Sequence, residues 1–328
     1  MTGLAESLGF LGDRLRRNHP VGSLTTYRVG GRADCFVQVA DPDELVSIAV
    51  AVAERRRSGS SEPVAVIGQG SNLLVADAGV DGLVLTLGEG FVNIDFLPGE
   101  PEPGAVIVRA GGAVKLPVLA ERTVAAGLTG FEWAKGVPGS VGGAVRMNAG
   151  GHGSDTAASL AEVRIVDLAT GEDVTMAAGE LGLGYRTSAL RPEQVIVSAD
   201  LRLSSAEEVD GPAVLREIVS WRRANQPGGR NAGSVFTNPP GSSAGALIEL
   251  AGGKGLRLGT AEISSKHANF IIADEGGSAD DVFALMVQAA ASVYRSSGVR
   301  LHPETCLVGY PDFDEAVDAA LVRSEDDP

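Results

Sequence analysis

The residues best suited to meet a charged ligand are glycines. Gly68-Gln69-Gly70-Ser71-Asn72 directly follows the apolar stretch Pro63–Ile67. Glycine lets backbone N–H groups turn toward a phosphate, and Ser71 and Asn72 can add side-chain hydrogen bonds. A nicotinamide-type fingerprint needs a helix next, and Leu73-Leu74-Val75-Ala76 followed by Gly79 does not read as one. The alternative is a glycine-rich turn between two strands. A second run, Gly136-Val137-Pro138-Gly139-Ser140-Val141-Gly142-Gly143-Ala144, extends to Met147-Asn148-Ala149-Gly150-Gly151. It leaves little side chain for a core, so it either wraps another backbone or lies against a flat or charged ligand. Two such runs in one chain favour a dinucleotide-sized ligand over two unrelated turns.

Three further segments hold groups that could move or stabilise charge: Gly184-Tyr185-Arg186, Asn231-Ala232-Gly233-Ser234-Val235-Phe236 and His302-Pro303-Glu304. Taken singly, each has an ordinary explanation: Arg186 on a solvated loop, Ser234 in a turn, Glu304 on a strand edge. There is no nucleophile elbow and no Ser–His–Asp set with recognisable local sequence, so hydrolysis has little support. His19, His152, His267 and His302 lack metal-ligand spacing, and no metal site is expected. Cys35 and Cys306 lie far apart outside any C-x-x-C, which argues against a disulfide framework.

Regular elements must position these groups. Asp41-Pro42-Asp43-Glu44, then Leu45, Ile48, Ala49 and Val52, then Arg55-Arg56-Arg57, predicts a helix with an Asp cap, Pro at its first position and charges that oppose the helix dipole. Leu116–Ala126 reads as a second helix stopped by Gly127, and Val214–Arg223 as a third. A fourth starts at Ser278 in a capping-box arrangement with Asp281, runs through Val282, Leu285, Met286, Ala289, Ala290 and Val293, and stops at Gly298. Pro63–Ile67, Gly82–Leu87, Ala105–Arg109, Val163–Asp167 and Val195–Leu203 read as strands. The pattern is α+β, with a change of texture near Ser205 and an acidic segment from Asp312 that reads as a short helix with a frayed end.

Composition narrows the function. The 328 residues carry 42 acidic against 27 basic side chains, a formal charge of −15. That balance argues against a general nucleic-acid binder, which needs a basic face to displace counterions; any basic pocket must be local. The 44 glycines, with aromatics at only 5%, suit tight turns and close backbone approach to a ligand. No run approaches the roughly 18 apolar residues of a membrane helix, and the N-terminus lacks a signal-peptide core. A cytoplasmic protein is expected.

Read in order, Thr26-Tyr27-Arg28-Val29-Gly30-Gly31, Gly68–Asn72, Gly136–Gly150, Gly184-Tyr185-Arg186, Gly233-Ser234-Val235-Phe236-Thr237-Asn238-Pro239, Ser265-Lys266-His267-Ala268-Asn269-Phe270 and His302-Pro303-Glu304 resemble the UDP-N-acetylenolpyruvoylglucosamine reductases. These are also called UDP-N-acetylmuramate dehydrogenases, flavoenzymes of peptidoglycan precursor synthesis. The blocks keep the family's order from about Asn18 to Gly309. The segment from Phe236 to Lys266 is compact and holds no Tyr, which resembles the shorter family type without a tyrosine-bearing loop.

The resemblance implies an α+β fold. A two-subdomain FAD-binding portion of the vanillyl-alcohol-oxidase type would be followed by an α+β substrate-binding domain. The expected division is 1–80 and 81–204 for the two FAD-binding subdomains, 205–310 for the substrate-binding domain and 311–328 for an acidic tail. Gly68, Gln69, Gly70, Ser71 and Asn72, with Gly136, Pro138, Gly139, Ser140, Gly142 and Gly143, would hold the FAD pyrophosphate and its neighbourhood. The implied reaction passes hydride from NADPH to the flavin, and then from flavin N5 to the terminal vinyl carbon of the enolpyruvyl ether of UDP-N-acetylglucosamine. By motif position Ser234 would protonate the adjacent carbon, and Arg186 and Glu304 would stabilise the enolate-like charge, the three side chains meeting beside the isoalloxazine ring. Tyr185, Arg222, Asn238 and Lys266 match substrate-binding positions, and Arg186, Arg222, Arg223, Arg230 and Lys266 would form the local basic pocket.

Two departures touch substrate contact: Thr237 replaces a commoner Lys, and Pro227–Ser234 is a short, Gly-rich version of its loop. A different flavin oxidase on the same scaffold would account for the glycine runs but not for Arg186, Ser234 and Glu304 together. A non-catalytic nucleotide-binding module is disfavoured by the same three residues. A monomer is expected.

Overall fold

The computed structural model describes residues 3–60, 62–98, 105–206 and 208–323. They form two compact units. The first comprises Met1–Arg17, Cys35–Gln69 and Asp81–Ala224, and the second Asn18–Asp34, Gly70–Val80 and Asn225–Pro328. These bounds differ from the linear division at 80, 204 and 310. Residues 18–34 and 70–80 leave the N-terminal part because Tyr27, Val29 and Leu74 are buried in the core of the second unit. The helix Gly211–Asn225 stays almost wholly with the first unit.

The first unit has two hydrophobic cores. One lies between the helix Pro42–Arg57 and the first unit's part of the strands Arg32–Val39, Val80–Leu87 and Val64–Val66, which are neighbours in that order. The helix starts where expected: the Asp41 carboxylate accepts the Glu44 N–H at 2.9 Å, and the Glu44 carboxylate accepts the Ala40 N–H at 2.6 Å, a reciprocal cap of the kind that stabilises a helix by about 1 kcal/mol. Its buried positions include Leu45, Ile48, Ala49 and Val52, which pack with Cys35, Val37, Leu83 and Leu85. The strand expected over Pro63–Ile67 is limited to Val64–Val66, running parallel to Val80–Leu87.

The other core lies under an antiparallel sheet ordered Asp173–Ala177, Leu160–Asp167, Gln194–Ser205, Ala105–Gly111, Ile94–Pro98. Arg109 and Asp200 sit opposite one another in the register and pair through two hydrogen bonds of 2.7 and 2.6 Å. The helices Leu116–Ala125 and Val141–Met147 cover this core, the former followed by Gly127 at φ +73°.

In the second unit the helix Ala279–Ser297 buries Val282, Leu285, Met286, Ala289, Ala290 and Val293 against a three-stranded antiparallel sheet, Arg257–Leu258, Ala261–Ile263 and Ile271–Ala273. Gly298 caps it at φ +72°. The expected capping box is only half present. Ser278 Oγ accepts the Asp281 N–H, but the Asp281 carboxylate accepts from the N–H and hydroxyl of Thr260, both at 2.7 Å. Thr260 wins because it offers two donors. Gly30, at φ +111°, stands where a Cβ would lie 2.3 Å from the Val75 carbonyl. The short helix expected in the acidic segment from Asp312 is present as Phe313–Arg323, and its Phe313 and Val317 belong to the core; the end of the expected tail, 324–328, lies outside the described residues.

Candidate active site

The two glycine runs, about seventy residues apart, line one cleft. This open cleft of about 520 Å³ lies in the first unit, and Gly68, Gln69, Ser140, Gly142 and Gly143 are in its wall. A Cβ on Gly68 would come within 2.5 Å of Ser140 Oγ, so glycine is what lets the runs approach. Ile67, Leu87, Val195 and Ile196 add apolar surface.

The two runs contribute differently. Among the described residues, the N–H groups of Gly68, Gln69 and Gly70 donate to no protein acceptor, leaving them available to an anion. In the second run Val141 N–H donates to the Val114 carbonyl, Gly142 N–H to the Gly112 carbonyl at 2.9 Å, and Gly143 N–H to Ser140 Oγ at 3.3 Å. Those donors are spent on the fold, so Gly142 and Gly143 supply shape rather than N–H groups. Gly136 lies outside the wall; a Cβ there would strike the His152 ring and Ile218, so it is a packing glycine. Gly139, at φ +145°, is a turn position that requires glycine.

Several wall residues were not singled out from the sequence: Gly112, Ala113, Arg146 and Gln194. The Gly111-Gly112 pair at the end of an apolar strand was the available signal, since a Cβ on Gly112 would lie 2.1 Å from the Ile196 carbonyl. Arg146 gave no signal; its guanidinium donates to the carbonyls of Leu190 at 3.2 Å and Gln194 at 3.0 Å. Apolar walls beside a backbone-lined end with the uncommitted N–H groups of Gly68 and Gln69 fit a flavin dinucleotide, with its flat ring system and pyrophosphate.

Arg186 also lies in the first unit. It occupies a tight turn in which Gly184 and Thr187 exchange backbone hydrogen bonds of 3.0 and 3.3 Å, and its φ is +56°. A left-handed conformation costs a long, non-glycine side chain about 1 kcal/mol, and such strain gathers at functional positions. The guanidinium donates to the Gly150 carbonyl at 2.7 Å, and Asn148 Nδ2 donates to the Gly184 carbonyl at 2.9 Å. The end of the second glycine run and the Gly184–Arg186 block are thereby one local structure. Tyr185 is exposed, with the Arg186 guanidinium 5.5 Å from its ring centre. Arg222 is half-buried on the helix Gly211–Asn225, and burial pushes its pKa down.

Ser234 and Glu304 belong to the second unit and lie on paired backbones. The Glu304 N–H donates to the Val235 carbonyl at 2.8 Å, the Thr237 N–H donates to the His302 carbonyl at 3.0 Å, and Phe236 pairs with Pro303 in an antiparallel bridge. Glu304 is fixed from its other side by Asn72, whose Nδ2 donates to the Glu304 carbonyl at 2.8 Å. Asn72 therefore acts through its carboxamide on the chain carrying Glu304. Ser71, like Gly70 and Asn72, falls in the second unit, and Gly70 there presses against Leu24 and Thr25. Asn238 Oδ1 accepts the Ala244 N–H at 3.0 Å, at the start of the helix Ala244–Leu250. Lys266 is exposed. Arg230, expected in a basic pocket, is paired with Glu275 at 2.7 Å, which cancels its charge locally.

Residues 33–177 match the FAD binding domain family, so the class of protein that the cleft and its fold define is an FAD-binding flavoprotein. Residues 225–308 match the C-terminal domain of UDP-N-acetylenolpyruvoylglucosamine reductase. A curated UDP-N-acetylenolpyruvoylglucosamine reductase 2 from Symbiobacterium thermophilum is 40% identical over 299 residues, 90% of this chain and 93% of the relative. Another reductase of that name, from Rubrobacter xylanophilus, is 39% identical over 296 residues, 90% and 95% of the two chains. The crystal structure of the reductase from Thermus caldophilus superposes with a TM-score of 0.75 at 34% identity, covering 90% of this chain and 99% of that one. The chain belongs to the UDP-N-acetylenolpyruvoylglucosamine reductase family and is an FAD-binding oxidoreductase. Among the described residues no helix is long and apolar enough to cross a membrane.

Proposed function

We propose that this chain reduces the enolpyruvyl ether of UDP-N-acetylglucosamine to UDP-N-acetylmuramate, with NADPH as the hydride source, as a monomer in the cytoplasm and as a step of peptidoglycan precursor synthesis. FAD, when bound, relays the two electrons from NADPH to the substrate double bond. The terminal vinyl carbon gains a hydride and becomes a methyl group, and the electron pair moves onto the adjacent carbon and its carboxylate. Ser234 then gives its hydroxyl proton to that carbon. Arg186 offers its guanidinium to the developing charge and Glu304 offers a carboxyl hydrogen bond. The uncommitted N–H groups of Gly68 and Gln69 hold the cofactor's pyrophosphate. Tyr185, Arg222, Asn238 and Lys266 serve the substrate, with Arg222 and Lys266 supplying positive charge for its two phosphates in an acidic protein.

The observation that supports this reading most directly is the pairing of the Val235–Thr237 backbone, which follows Ser234, with the 302–305 backbone. It puts a hydroxyl and a carboxyl, far apart in sequence, on neighbouring backbone segments. Anaerobic half-reactions test it. In Ser234→Ala, NADPH should bleach the flavin absorbance at the normal rate, while its return on adding the enolpyruvyl substrate slows by about 10²–10⁴-fold. Normal rates in both halves would remove Ser234 from the chemistry.

A further inference from the structure

The segment that carries Ser234 is held from behind by one buried side chain. Asn269 is 3% exposed. Its Oδ1 accepts the Phe236 N–H at 3.0 Å and its Nδ2 donates to the Phe236 carbonyl at 2.8 Å. Its own carbonyl accepts the Val235 N–H at 2.9 Å. A carboxamide used this way imitates the edge of a neighbouring strand, and only one orientation of the amide satisfies both partners.

On the opposite side the Val235 carbonyl accepts from Glu304 and Thr305. All four backbone polar groups of Val235 and Phe236 are therefore assigned. The Val235 N–H lies in the peptide unit that follows Ser234 and is held by the Asn269 main-chain carbonyl, while the Asn269 carboxamide holds the next two peptide units. Asn269 is itself rigid. Its N–H donates to His267 Nδ1 at 3.2 Å, and Ser264 Oγ accepts from the N–H groups of Lys266 and His267 within the same turn.

We propose that Asn269 is a positioning residue for proton transfer by Ser234. The inference rests on Ser234 being the proton donor. A misplacement of about 1 Å is enough to cost a reaction about 10²-fold, and loss of the Asn269 carboxamide frees the Phe236 N–H and carbonyl, in the second and third peptide units after Ser234.

A double-mutant cycle on the FAD-loaded enzyme tests this, with each half-reaction followed anaerobically. Asn269→Ala should leave flavin reduction by NADPH within about twofold of the parent and slow substrate-dependent reoxidation by about 10²-fold. Added to Ser234→Ala, the same substitution should cost less than about threefold more, because the two act through one proton transfer. Unchanged reoxidation in a folded Asn269→Ala protein overturns the proposal, as does a full additional loss in the Ser234→Ala background. If Ser234→Ala alone has normal half-reactions, the proton-donor reading fails, and this inference with it. A slow Ser234→Ala beside a normal Asn269→Ala sinks only the positioning role. Should Asn269→Ala not fold, Asn269→Asp, which keeps the oxygen facing the Phe236 N–H, carries the same cycle, and parental reoxidation in that variant overturns the proposal.

Discussion

Asn72 and Glu304, 232 positions apart, are joined by a hydrogen bond of 2.8 Å from the Asn72 carboxamide to the Glu304 carbonyl. The contact starts a parallel pairing in which Cys306 N–H donates to the Asn72 carbonyl and Leu73–Val75 runs beside Cys306–Val308. Asn72→Ala should therefore loosen the chain that presents Glu304. One partly buried hydrogen bond is worth about 1 kcal/mol, and a fall of about 2–4 °C in unfolding midpoint is expected, together with slower substrate-dependent reoxidation. A midpoint that falls with no change in reoxidation would leave Asn72 with a structural role only.

Gly68 sets how closely the two glycine runs approach. In Gly68→Ala the new Cβ would lie 2.5 Å from Ser140 Oγ and push that oxygen off the Gly143 N–H it caps. The variant should fold but purify with a lower ratio of flavin to protein absorbance than the parent. Full flavin content would show that the cleft tolerates a methyl group at residue 68.

If Glu304 acts by donating a hydrogen bond, an amide can stand in for it. Glu304→Gln should retain more reoxidation activity than Glu304→Ala, by about tenfold, which is the worth of one retained hydrogen bond of about 1.4 kcal/mol. Equal rates in the two variants would exclude the donor role.

His267 makes stability depend on pH. Burial holds its pKa below the ordinary value of 6.5, and the nearby Lys254 charge acts in the same direction. The unfolded chain therefore takes up the proton first. Stability is fully present above about 6.5 and drains away as pH falls below it. Protonation at Nδ1 would also remove the acceptor for the Asn269 N–H. Unfolding midpoints at pH 7.5 and 5.5 should differ less in His267→Gln than in the parent; an unchanged difference would place the acid sensitivity elsewhere.

Local signals were legible in the sequence, and contacts made at long range were not. Asp41, Gly127 and Gly298 mark helix ends because capping involves only near neighbours. Ser278 marked the start of its helix, but the nearby spacing hid that Asp281 faces Thr260. The glycine runs stood out in the sequence as either turns or ligand-facing loops, yet nothing local showed that Gly142 spends its N–H on Gly112 while Gly68 keeps its own uncommitted. The order of the blocks pointed to the family; the left-handed turn at Arg186 and the carboxamide of Asn269 are consequences of packing that no spacing encodes.

The discontinuous make-up of the two units orders their assembly during synthesis. Once residue 224 has emerged from the ribosome, every segment of the first unit exists, whereas residues 18–34 and 70–80 still lack the core they belong to. Domains fold as they emerge, at about 5–20 residues per second, so for several seconds Tyr27, Val29 and Leu74 have no burial site. The nascent chain must carry these apolar stretches exposed until the helix Ala279–Ser297 arrives, which makes that interval the point at which a chaperone would have most to protect.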